Sequence, residues 1–101
     1  MLKGRRAVPV PSGMDKPGAV LWKKLQPAYG IVDEAGLQLL EMACRAWCTV
    51  LQAEEQLRRD GLVIKGDRGV MKAHPAAAIA RDARSGMLQA FRVLSIGGPE
   101  A

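Results

Sequence analysis

A chain of 101 residues, 49% of them apolar, holds one domain with a single modest core and leaves no room for a separate catalytic domain. The formal charge of +5 is unevenly placed: Lys3, Arg5, Arg6 and Lys16 face only Asp15 near the N-terminus, residues 17–60 nearly balance, and after position 60 six basic side chains meet three acidic ones. Such an excess suits nucleic acid or an anionic surface as partner, while no apolar run approaches the roughly eighteen residues that span a bilayer.

Residues 1–16 mix cations with Pro9, Pro11, Gly4 and Gly13 and show no periodicity. They read as a disordered basic arm whose Lys3, Arg5 and Arg6 can lie on DNA phosphates. The prolines fall where a signal peptide needs an unbroken apolar stretch, so a cytoplasmic location is expected. From residue 17 to 29, Leu21, Trp22, Leu25, Ala28 and Tyr29 share one face while Lys23, Lys24 and Gln26 fall elsewhere, the pattern of a short amphipathic helix that Gly30 closes and Pro27 loosens. The link to the next element is short enough to force an antiparallel helical hairpin, with Trp22 expected near Trp47.

Residues 33–60 predict one long helix. Asp33 can cap it, Glu34 suits its positive end, Arg58 and Arg59 suit its negative end, and Gly61 stops it. Leu37, Leu40, Cys44, Trp47 and Leu51 form one apolar stripe; Leu39, Ala43, Ala46, Val50, Ala53 and Leu57 form another beside it. Each large side chain left wet forgoes about 1.5–3 kcal/mol, and two short helices with a hairpin offer little cover, so these residues are expected to serve as core or as an interface between copies of the chain. The alternative is a monomer whose second stripe faces the last helix.

Cys44 and Cys48 lie one helical turn apart, where geometry discourages a mutual disulfide, and His74 is the sole histidine. Neither a metal shell nor a cofactor is expected. Residues 62–65 and 70–73 are short, partly β-branched runs flanking Gly66-Asp67-Arg68-Gly69, which predicts a β-hairpin; Lys65, Arg68 and Lys72 make it basic and are candidate phosphate contacts. No Gly-Lys-Ser/Thr follows, so the loop is not a nucleotide-binding one. Pro75 opens a third helix over about 75–95, in which Ile79, Ala80, Ala83, Met87, Ala90, Phe91 and Leu94 recur at helical spacing. Arg81, Arg84 and Arg92 line a different side, Arg81 and Arg84 as further DNA candidates, and Gly86 is expected to mark tight packing or a bend. The helical oligomerisation domain is thus placed at 17–96, with 97–101 as a disordered tail. One histidine, three serines and one threonine offer little from which to build a nucleophile with its base and orienting acid, so a non-catalytic protein is expected.

The order of these parts resembles the small terminase subunits of tailed bacteriophages. The shared features are a Trp-bearing short helix, the turn and cap from Gly30 to Asp33, a long helix with Trp47 and Ala53-Glu54-Glu55, then Gly61-Leu62-Val63, a hairpin, and His74-Pro75 opening an Ala-rich helix. They match the short family with a His-Pro step, which also occurs in phage-derived gene transfer agents. The resemblance implies a mainly α, ring-forming packaging factor in the bacterial host cytoplasm. Such a factor binds viral or gene-transfer-agent double-stranded DNA, weakly and salt-dependently, and regulates the large terminase subunit that carries the ATPase and nuclease, with no membrane involved. Two features depart from the pattern. The chain runs Ser95-Ile96-Gly97-Gly98-Pro99 where related proteins continue past a Gly-Leu-Thr-Pro-like stretch, and residues 1–16 are too short for a helix-turn-helix domain. A small dimeric DNA-binding regulator and an oligomeric adaptor that touches only protein remain open alternatives.

Overall fold

The computed structural model describes residues 6–97. Its elements are α1 (Lys16–Ala28), α2 (Glu34–Asp60), β1 (Val63–Lys65), β2 (Met71–Ala73) and α3 (Pro75–Val93). The class is the one the sequence predicts: mainly helical, with an antiparallel α1–α2 hairpin, a two-stranded antiparallel sheet and a C-terminal helix. Among the described residues no helix is long and apolar enough to cross a membrane.

The ends of α2 follow from local chemistry. The Asp33 carboxylate accepts from the Gly36 N–H at 2.9 Å, satisfying a donor that the first turn leaves unpaired. Gly61, at φ 84°, turns the chain away while its N–H donates to the Leu57 carbonyl at 2.7 Å. Between these ends α2 is the spine of a body 61 × 29 × 21 Å in extent.

Three apolar clusters lie along that spine. In the first, Trp22, Ile31, Leu40 and Cys44 are buried with Val8, Val10, Leu37, Leu94 and Ile96 against them. In the second, Ala43, Met87 and Ala90 take in Leu39, Ala46, Trp47 and Phe91. In the third, Ala53, Ala76 and Ala80 meet Leu57. The pairing of Ala53 with Ala76 and of Ala43 with Ala90 makes α3 antiparallel to α2, and the small side chains bring the two helices close.

These contacts correct two expectations. Trp22 and Trp47 do not stack: Trp47 sits at the seam between the two stripes and packs toward α3, whereas Trp22 packs on Leu40 and Cys44. The stripe of Leu39, Ala43, Ala46, Val50, Ala53 and Leu57 is not surplus either, because α3 covers it within the same chain, and Val50 is fully buried. On that flank α2 therefore needs no second copy to cover it. Exposed apolar side chains concentrate elsewhere, on the hairpin (Leu62, Val63, Val70, Met71) and on the outer side of α3 (Ile79, Leu88, Val93).

Residues 6–15 have neither helix nor strand, yet they are tethered. Gln26, 1% exposed, accepts from the Val8 N–H at 2.8 Å and donates to the carbonyls of Arg6 at 2.7 Å and Ile31 at 2.8 Å. The Trp22 indole N–H donates to the Val8 carbonyl at 2.8 Å. An amide buried this deeply is tolerated because its oxygen and nitrogen are both bonded. Lys3 and Arg5 lie outside the described residues.

Candidate nucleic-acid interface

The hairpin pairs Val63 with Ala73, Ile64 with Lys72 and Lys65 with Met71. Strand alternation therefore puts Lys65 and Lys72 on opposite faces. At the tip, Asp67–Gly69 form one 3₁₀ turn in which Arg68 takes φ 61°, ψ 21°, a left-handed conformation that L side chains rarely adopt and that costs about 1–2 kcal/mol. At the base the His74 N–H donates to the Leu62 carbonyl at 2.8 Å.

His74 fixes the hairpin to both long helices. Its Nδ1 accepts from the Ala76 N–H at 3.0 Å, capping α3, so the ring proton belongs on Nε2, which lies 2.9 Å from the Asp60 carboxylate at the end of α2. Both nitrogens are committed to structure. The His-Pro step thus combines a cap, a start for α3 at Pro75 and a tie to α2.

Arg81, Arg84 and Arg92 come together on the outer side of α3, where with Ser85, Leu88 and Gln89 they line an open groove of about 320 Å³. Arg84 reaches across to a Glu54 carboxylate on α2, so part of its charge is spent on holding the helices. Arg81 contacts its neighbour Asp82 at 3.2 Å with both side chains largely exposed. Arg92 has no acidic partner among the described residues. Arg6 belongs to a different place: its carbonyl is held by Gln26 beside Ile31, at the start of α2, whereas the hairpin follows the end of α2, roughly 40 Å away. Of the eight sequence-predicted cations, the six among the described residues therefore do not form one patch. Lys65 and Lys72 lie on opposite faces of the hairpin with Arg68 at its tip, Arg81 and Arg84 follow on α3, and Arg6 stands apart.

The thiols carry no site chemistry. Cys44 and Cys48 are both buried and unbridged, and burial, reinforced by Cys48 and Glu41, pushes the Cys44 thiol up to about 12, which leaves it protonated at neutral pH. Among the described residues no three His, Cys, Asp or Glu side chains gather to hold a metal.

The model of a known family, described as phage terminase, small subunit, matches residues 19–94. The chain belongs to the phage terminase small-subunit family. The match runs from the second turn of α1 to the cap of α3 and takes in every element that positions the arginine groove and the hairpin. No curated protein and no solved structure matches. The family's work is phage DNA packaging, its members are generally non-catalytic, and its packaging partners are DNA and the large terminase. The helical spacing placed Arg92 on the same side as Arg81 and Arg84, but sequence reasoning did not count it among the DNA contacts. It also left out the exposed Lys16, Lys23 and Lys24 of α1, which no local pattern joins to the other cations.

Proposed function

We propose that this terminase small subunit is a non-catalytic packaging factor that self-associates into a ring, binds double-stranded DNA through phosphate contacts, and regulates the large subunit in the cytoplasm of a bacterial host. The family match over residues 19–94 carries this reading. Support for the DNA contact comes from the arginine groove: Arg81 and Arg92 are about 16 Å apart along one helix, with Ser85 and Gln89 between them as neutral hydrogen-bonding groups. Arg68 and Lys72 add positive charge on the hairpin that precedes α3. Charge-based contacts of this kind read backbone rather than sequence, so affinity is modest and falls with salt.

Fluorescence anisotropy on a labelled duplex tests this. Apparent affinity is expected to fall at least tenfold between 50 mM and 200 mM salt, with each lost phosphate contact lowering the log–log slope by about 1. Arg81→Glu with Arg92→Glu is expected to abolish binding while leaving the helical circular dichroism intact. Binding that ignores salt, or a double variant that binds as wild type, refutes the groove as the DNA surface. Light scattering on the same samples reads the ring directly, and a one-subunit mass at every concentration excludes it.

A further inference from the structure

We infer that the Glu54 carboxylate competes with DNA phosphate for Arg84, so that in the free subunit one arginine of the groove is already taken by the chain itself. This deepens the duplex-binding reading above and rests on it.

Arg81, Ser85, Leu88 and Arg92 follow one another at spacings of four, three and four, which sets them in a row along one side of α3. Arg84 stands off that row, on the side toward the buried Ala80 and Met87, where α3 meets α2. Among the described residues no acidic side chain lines the groove. Glu54 reaches its edge from α2, because the preceding residue, Ala53, is buried against Ala76 and Ala80 of α3. There its carboxylate accepts from Arg84 Nη2.

The contact is built to exchange. Arg58, one turn further along α2, is the cation that Glu54 would otherwise take, but it donates to Glu55 from Nε at 3.1 Å and from Nη2 at 2.5 Å. Glu54 is thereby left to Arg84. Their side chains are 46% and 45% exposed, so water and salt screen the pair and it contributes little to the fold. A guanidinium held this loosely can trade one oxyanion for another, and a phosphodiester presents its charge on two oxygens as a carboxylate does. The three arginines thus differ in readiness. Arg92 has no acidic partner among the described residues, Arg81 meets only its neighbour Asp82, and Arg84 must leave Glu54 before it can take phosphate. Once displaced, the carboxylate stands beside the same phosphates and repels them, so Glu54 lowers affinity both as a contact given up and as a like charge left behind.

Fluorescence anisotropy on the full chain with a labelled duplex, at 50 mM and 200 mM salt, tests this. Glu54→Gln keeps the size of the side chain and removes its charge; it is expected to tighten binding about threefold at 50 mM, with a smaller gain at 200 mM because an exposed pair is screened. Glu34→Gln removes the same formal charge about 30 Å away along α2 and is expected to leave affinity within about 1.5-fold. In an Arg84→Gln background, Glu54→Gln is expected to gain less than about 1.5-fold, since only the repulsion remains to be relieved. A wild-type chain that binds no duplex at 50 mM overturns the DNA reading and this competition with it. A binding wild type whose affinity is unchanged or weakened by Glu54→Gln overturns the competition alone. So does an equal gain from Glu34→Gln, which would make the effect one of net charge, or an undiminished gain without Arg84. Loss of helical circular dichroism in Glu54→Gln would show the pair to be a structural clamp and overturns the exchange as well.

Discussion

Around Leu40 the long helix is enclosed on both flanks, by α1 and the tethered residues 6–10 on one side and by the end of α3 on the other, and the buried side chains there are large: Trp22, Ile31, Leu40. Around Ala53 the same helix has only α3 beside it, and the buried side chains are alanines, with Leu57 half-covered. Buried apolar area scales with side-chain size, so the first region supplies most of the hydrophobic stabilisation and the second mainly sets a close interhelical distance. What the second region lacks in core it displays as surface: Leu62, Val63, Val70 and Met71 stand out on the hairpin that extends from it. A scaffold at one end and a contact-making extension at the other is the division of labour expected of a subunit that must stay folded while it engages partners.

The largest test of that contrast is a pair of truncations. Leu40→Ala removes a fully buried leucine and is expected to cost about 3–4 kcal/mol in urea unfolding, whereas Leu57→Ala, half-exposed among alanines, is expected to cost about 1 kcal/mol. Equal losses would mean that the two halves share one cooperative core and that the contrast is only one of appearance.

Much of the scaffold was legible from local signals. Asp33, Glu34, Arg58, Arg59 and Gly61 marked α2 because capping and dipole effects act within one turn. Its two stripes were equally visible, but their coverage was not: a stripe reports that something packs on it and is silent on whether the partner is α3 or another copy. The tether of residues 6–10 was hidden for a similar reason. Gln26 falls off the apolar face of α1, so it reads as a surface residue until the distant Val8 and Arg6 supply its hydrogen bonds. At the candidate interface, Arg84 and Arg81 are indistinguishable in sequence, and only the fold brings Glu54 against one of them.

Two glycines sharpen the comparison at intermediate size. A Cβ on Gly18 would lie 2.8 Å from the Cys48 sulfur and 2.9 Å from the Cys44 carbonyl oxygen, a backbone atom that moves only with α2. Gly18→Ala is therefore expected to cost about 2 kcal/mol by forcing α1 off the spine. Gly86, where the sequence suggested tight packing or a bend, has no heavy atom within 4 Å of that position. Gly86→Ala is expected to stabilise by about 1 kcal/mol, the ordinary gain for a helix interior. Denaturant midpoints shifting in opposite directions would bear this out; a destabilised Gly86→Ala would show that α3 is gripped more tightly than its open outer side implies.

The smallest effect on stability falls at the hairpin tip, where it separates packing from function most cleanly. Arg68 occupies a left-handed position that glycine would take without steric cost, and it is followed by Gly69, itself at φ 77°. Arg68→Gly relieves that cost but adds backbone freedom to the unfolded chain, so the net change in unfolding free energy is expected within about 0.5 kcal/mol. Arg68→Ala keeps the left-handed cost while losing the same charge. If the guanidinium at the tip contacts a phosphate, both variants lower the salt slope of duplex binding by about 1 and do so equally, despite their different backbones. If instead the position matters only for the turn, the two will separate in stability and bind DNA alike at wild-type strength, and the extension would then have protein, not nucleic acid, as its sole partner.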